Sequence, residues 1–182
     1  MFYAIAESLY KSEFIQILQC LRDSVKNEMF DGLIGIWPFV YQEEAKRNSK
    51  NRPKGTLLTK NIESIGKKEY RDALIQKVLP AIREKWPQGS KGMQICIQQD
   101  NAKPHLNPDE AEIKKECAKD GWNIRLDCQP PNSPDFNVLD LGFFTSIQSL
   151  QHQSCPTNTN DLIKSVEDAF YAQPVEKVNF IF

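Results

Sequence analysis

The residues of this chain best equipped for chemistry are two aspartates, each delivered by a distinctive local context. Asp100 lies in the run Ile95-Cys96-Ile97-Gln98-Gln99-Asp100-Asn101-Ala102-Lys103-Pro104-His105. Asp140 follows Pro130-Pro131-Asn132-Ser133-Pro134-Asp135-Phe136-Asn137-Val138-Leu139. Carboxylates are the ligands hard divalent cations prefer, and magnesium is commonly held by a few of them together with substrate phosphates. Phosphodiester cleavage uses paired cations roughly 3.5–4 Å apart, one to activate water and one to stabilise the leaving oxygen. Asp100 and Asp140 therefore point to magnesium-dependent nucleic-acid chemistry, with Mn2+ as a substitute ion. Near Asp100, Asn101 is suited to orienting a water or ligand, His105 to proton transfer, and Lys103 to meeting a phosphate.

Plainer roles compete with these. An Asp between an apolar run and an Asn is a good turn residue, and Asp140 is equally suited to a helix N-terminus, where the dipole favours negative charge.

The elements that must position these residues follow from hydrophobic patterning. Residues 93–98 form an apolar run short enough for a buried strand, so Asp100 falls just past its carboxyl end. Residues 124–128 predict the next strand. Between 68 and 86, Ala73, Leu74, Val78, Leu79, Ile82 and Trp86 recur at helical spacing, with Pro80 expected to bend the helix. Asn107-Pro108 predicts the start of another helix and Asp120-Gly121 its end. Residues 139–151 and 160–171 read as two further helices. Residues 32–40 predict a strand entered through an Asp31-Gly32 turn, with Pro38 near an edge or bulge. Residues 14–18 fit a short strand or a helix face. The order of strands and helices predicts an α/β layered domain, in which ligands gather at strand carboxyl ends.

Composition bounds the partners. The 182 residues are 40% hydrophobic and 26% charged, enough for one domain with a real core. A formal net charge of −1 requires any nucleic-acid surface to be local. The local concentration is Lys46, Arg47, Lys50, Arg52 and Lys54, with Lys60 beyond, in a loop of Asn, Ser, Pro and Gly expected to be exposed and mobile. Five widely spaced cysteines without a C-x-x-C pair indicate neither a zinc site nor a disulfide framework and fit a reducing compartment. No apolar run approaches the ~20 residues of a membrane span.

The text around the aspartates adds a resemblance. Gln98-Gln99-Asp100-Asn101-Ala102-Lys103-Pro104-His105, followed by Pro130-Pro131-Asn132-Ser133-Pro134-Asp135-Phe136-Asn137-Val138-Leu139-Asp140-Leu141, resembles the catalytic domain of mariner-type DNA transposases. Residues 30–40, 45–52, 77–86, 124–131 and 138–151 look like the plant mariner-like branch. The resemblance covers about residues 30–170.

It implies a ribonuclease H-like fold, with three acidic residues binding magnesium for DNA strand cleavage and transfer, in a nuclear protein whose partner is DNA. Asp100 matches the second acidic residue and Asp140 the third, while Asp135 is a decoy. The first acid has no matching context before residue 30, and Asp23 and Asp31 are available by residue type alone. The expectation is therefore an uncertain segment over 1–29, an incomplete ribonuclease H-like domain over 30–171 with its first strand missing or altered, and a tail over 172–182. Such a piece, lacking also the family's DNA-binding region, is expected to be inactive alone and to associate with a further copy through exposed sheet edges. The alternative is a co-opted, non-catalytic module that binds nucleic acid or protein.

Overall fold

The computed structural model describes residues 2–9, 14–19, 33–87, 92–131, 142, 144–151 and 154–174, and these form a mixed α/β fold. Strands β1 (Phe2–Leu9), β2 (Phe14–Gln19) and β3 (Leu33–Pro38) run antiparallel in sequence. β6 (Ile95–Gln99) lies parallel to β1, and β7 (Ile124–Cys128) parallel to β6. Together they make a five-stranded sheet in the order β3-β2-β1-β6-β7. β4 (Val40–Glu44) and β5 (Leu57–Asn61) form a separate antiparallel ribbon.

In the segment expected to be uncertain, ahead of a sheet whose first strand was expected to be missing or altered, two strands are found. Phe2–Leu9 occupies the centre of the sheet, pairing with β2 on one side and β6 on the other. Residues 14–18, open between strand and helix in sequence, are strand. The sheet thus joins residues on both sides of position 30, with β3 and β7 as its outer strands among the described residues. Pro38 behaves as its chemistry requires. It ends β3, an outer strand, where a missing N–H costs no ladder bond to a further neighbour. The apolar run expected over 32–40 divides at Phe39 into β3 and β4, and the Asp31-Gly32 turn lies outside the described residues.

The main core lies on one face of the sheet. Ile95 and Ile97 of β6 and Ile124 and Leu126 of β7 alternate toward it, as period-two side chains must. Against them pack Tyr70, Leu74, Val78, Leu79, Ile82 and Trp86, all at most 1% exposed. The amphipathic stretch that carries these residues is not one regular helix. α1 (Lys67–Ala73) passes into a π turn over Leu74–Val78 and then into α2 (Leu79–Lys85). The Leu79 N–H reaches back to Leu74 O, five residues away. Pro80 has no N–H, and in a straight helix its ring would press on the preceding turn. Widening that turn is a recognised way for a helix to absorb such a residue without breaking. The expected bend at Pro80 is therefore realised as a π turn just before it.

α3 (Ala111–Cys117) packs on β7 through Ile113 and Cys117. It begins later than Asn107-Pro108 predicted, because Asn107 makes a turn instead. Its Oδ1 accepts from Asp109 N at 3.0 Å and its backbone oxygen from Glu110 N at 3.1 Å. The predicted end holds, with Asp120 and Gly121 both at positive φ (56° and 76°). α4 (Phe144–Gln151) packs on α5 (Thr159–Tyr171), which also meets β3 and β5. Asn158 caps α5 by accepting from Asp161 N at 2.9 Å.

Candidate functional site

The short length of β6 and the turn that follows it decide what Asp100 does. The ladder between β6 and β7 continues to Gln129 N, which donates to Gln99 O at 2.8 Å. Asn101 Nδ2 then donates to Gln129 O at 2.9 Å. Asn101 is thus a staple between the two strand ends, with its amide nitrogen committed to the backbone. Below it, Gln99 is fully buried, and its Nε2 donates to Leu106 O at 2.5 Å. The chain from Asp100 to Leu106 is therefore pinned at both ends.

Within that pinned loop the Asp100 carboxylate is held from one side. Its Oδ1 accepts from Ala102 N at 2.7 Å and lies 2.6 Å from His105 Nδ1. The same Nδ1 lies 2.9 Å from Asp100 O. The His105 ring packs on Tyr70 at a centroid distance of 4.6 Å, tilted by 49°. The Asp100 side chain remains 37% exposed, whereas that of His105 is only 4% exposed. The bond from His105 is the main influence holding the Asp100 carboxyl below the ordinary carboxylate value, outweighing partial burial, which raises it. Asp100 is thus an anion, open to solvent at the carboxyl end of a sheet strand. His105 lies behind it, facing the carboxylate rather than the solvent. Lys103 is exposed, with no ion pair among the described residues.

The thiols are poorly suited to the same chemistry. Burial first, then the neighbouring Asp127, pushes the Cys96 thiol up to about 12, and burial pushes Cys117 up to about 11. Neither is a ready thiolate.

Among the described residues no group of three or more His, Cys, Asp or Glu is placed to hold a metal ion. Asp140, the other aspartate singled out in sequence, lies outside the described residues, as do Asp23, Asp31 and Asp135. The topology does bring forward a residue that sequence reasoning passed over. β1 and β6 are parallel with Phe2 opposite Ile95 and Ile5 opposite Gln98. Glu7 lies two residues past the last paired position of β1, as Asp100 lies two residues past the last paired position of β6. An acid closing the apolar run Phe2-Tyr3-Ala4-Ile5-Ala6 was the available signal, the same signal that marked Asp100.

The basic residues lie elsewhere, on the β4–β5 ribbon. Their loop is exposed, as expected, but it is tied down rather than loose. Ala45 N donates to Thr56 O and Gly55 N to Ala45 O, both at 2.9 Å, and Lys54 N donates to Asn48 Oδ1 at 2.6 Å. Ser49 and Arg52 bridge across the loop, and β5 begins at Leu57. Lys46 and Lys60 are both paired with Glu43, at 3.2 and 2.7 Å, and these lysines hold the Glu43 carboxyl below its ordinary value. Arg47, Lys50, Arg52 and Lys54 have no carboxylate partner among the described residues. Glu43, Ala45, Arg47, Arg52, Leu58 and Lys60 line a shallow cavity of about 270 Å³.

Compared with known proteins, the chain matches no family model, no curated protein and no solved structure. No described helix is long and apolar enough to cross a membrane.

Proposed function

We propose that this chain is a transposase-derived catalytic-domain piece of ribonuclease H-like fold, related to magnesium-dependent DNA strand cleavage and transfer. The observation that carries the reading is the position of Asp100. It stands at the carboxyl end of a strand parallel to, and paired with, the central strand of a β3-β2-β1-β6-β7 sheet. Support comes also from the residue text around Asp100 and Asp140, which resembles the mariner transposases.

In this reading Asp100 and Asp140 hold a divalent cation, and Glu7 stands in for the missing first Asp. The open side of the Asp100 carboxylate fits such an ion. The ion, when bound, would supply the charge that activates water and stabilises a leaving oxygen. Asp100 contributes an anionic ligand held on a rigid strand end, and Arg47, Lys50, Arg52 and Lys54 contribute cations for the DNA backbone. Glu7 is one methylene longer than Asp. A carboxylate displaced by that length meets its ion in altered geometry, so DNA cleavage by this chain alone is weak or absent.

The test is Mn2+ binding by the purified chain, read by the ion's effect on water relaxation, with Asp100→Asn as control. Saturable binding that the control loses supports the reading, and binding equal in the two proteins removes it.

A second reading, a co-opted binding module without catalysis, is favoured by the four loop cations that lack carboxylate partners. Under it, Asp100→Asn leaves DNA affinity intact, while alanine at Arg47, Lys50, Arg52 and Lys54 weakens it.

A further inference from the structure

The β4–β5 ribbon stands outside the five-stranded sheet, and its pairing sorts its side chains by face. Tyr41 is opposite Lys60 and Glu43 opposite Leu58, and directly paired residues share a face. The shallow cavity of about 270 Å³ belongs to that face, because Glu43, Leu58 and Lys60 line it together with Lys46, Arg47 and Arg52 of the loop. Four cations thus border the cavity against two carboxylates, Glu43 and Glu44.

The cations are not equally engaged. Glu43 takes Lys46 on one oxygen and Lys60 on the other. The Arg52 backbone is fixed on that of Ser49 by two hydrogen bonds, of 2.8 and 3.2 Å. Its guanidinium has no carboxylate partner among the described residues, and its buried Nε has no hydrogen-bond partner there. A buried donor without an acceptor is costly, and a phosphate oxygen would satisfy it with a charge-assisted bond.

Tyr41 adds what charge alone does not. Its side of the ribbon leaves it 47% exposed beside Lys60, with no ring partner among the described residues. Tyr171, exposed to a similar degree, instead packs edge-on against Phe170 and carries the Lys85 ammonium over its ring. Bases in a duplex cover one another's faces, whereas unpaired bases offer theirs to an aromatic ring set among cations. We propose that this face of the ribbon binds single-stranded nucleic acid, with a phosphate in the cavity at Arg52 and a neighbouring base stacked on Tyr41. The inference rests on the binding-module reading and names its substrate class.

Fluorescence anisotropy with the full chain tests it at one fixed salt concentration. The labelled probes are an oligothymidylate, an abasic strand of the same length, a duplex of that length and an oligoglutamate of equal charge. Wild type, Tyr41→Ala, Tyr41→Phe and Arg52→Ala are compared, with far-UV circular dichroism confirming the fold of each. Tyr41→Ala should weaken oligothymidylate binding by about 5- to 100-fold, the scale of one lost base stack, and leave the abasic strand and the duplex unchanged. Tyr41→Phe keeps the ring and should bind as wild type does. Arg52→Ala should weaken the oligothymidylate and the abasic strand alike. Should Tyr41→Ala weaken all probes equally, or none, base stacking is overturned while binding through the loop cations stands. Oligoglutamate bound as tightly as oligothymidylate would show that the face selects charge alone, which also overturns it. If wild type binds no nucleic-acid probe, the binding-module reading fails and this inference falls with it. An oligouridylate measured alongside separates RNA from DNA, and a Tyr41-dependent preference for either supports the site.

Discussion

Asp100 Oδ1 and His105 Nδ1 stand 2.6 Å apart across a loop that spans the end of β6, one partner half-open to water and the other buried on Tyr70. The pair has a consequence for acid stability. The folded carboxyl titrates below the ordinary value of 3.8, chiefly because of the His105 bond. A carboxyl depressed in the folded state stabilises the protein above its unfolded pKa, and that contribution is lost as pH falls through the folded value. Asp100→Asn removes it at every pH. Urea midpoints of wild type and variant should therefore differ at pH 6 and converge as pH falls below 3.8. A gap that stays constant across that range would show that the ionised form of Asp100 does not contribute.

Gly35 faces Trp37 along β3 so closely that a β-carbon there would lie 2.6 Å from Trp37 Cζ2. Residues two apart share a strand face, and the indole fills the space a side chain would need. Gly35→Ala should therefore force Trp37 to move and cost about 1–3 kcal/mol, as overpacking does. Urea denaturation measures the cost, and near-ultraviolet dichroism should report the displaced indole. An unchanged midpoint would mean that Trp37 yields freely.

Ile97 is fully buried at the middle of β6, opposite Ala4 on one side and Leu126 on the other. Truncation leaves a void between the sheet and the helices that rigid strands cannot close. Ile97→Ala should cost about 2–5 kcal/mol, read from the urea midpoint. A smaller loss would indicate that α1 and α2 settle onto the gap.

Much of this fold was legible wherever one element's own pattern sufficed. The helical spacing of Ala73, Leu74, Val78, Leu79, Ile82 and Trp86, the apolar run before Asp100 and the strand after Asn123 each announce a buried face. What was not legible was pairing across distance. Phe2–Leu9 earns its place at the sheet centre only by meeting β6, some ninety positions away, and nothing local in Phe-Tyr-Ala-Ile-Ala-Glu distinguishes that strand from a helix start. The π turn before Pro80 is likewise a compromise between a missing N–H and the packing of Leu74 and Val78. In the site, Asp100 stood out by position, but the burial of His105 beside it depends on Tyr70, brought against the ring by the fold.

Glu7 offers a check on the sheet register. It follows the last β1–β6 pair, Ile5 and Gln98, by two residues, as Asp100 does on the other strand. Glu7→Gln removes one negative charge with little change of volume. If Glu7 serves the ion, Mn2+ affinity should fall by about 10-fold or more, on the scale by which altered metal sites lose their ions, with circular dichroism unchanged. Full affinity in the Gln variant would exclude Glu7 and leave Asp100 and Asp140 as the acids to examine.

The loop on the β4–β5 ribbon separates neutralised from free cations. Glu43 already holds Lys46 and Lys60, whereas Arg47, Lys50, Arg52 and Lys54 have no such partner among the described residues. Phosphate contacts release counterions, so each cation lost should flatten the dependence of log K on log salt by about 0.9 on duplex DNA. If the loop binds duplex DNA, replacing these four by alanine should reduce the slope by about 3 to 4 and weaken binding uniformly across sequences. Replacing Lys46 and Lys60 instead should change the slope less, because their charge is already balanced by Glu43. Fluorescence anisotropy with a labelled duplex over a salt series measures both sets. Equal slopes for the two sets would mean that Glu43 releases its lysines when DNA arrives, and that the whole ribbon, rather than its loop, meets the phosphates.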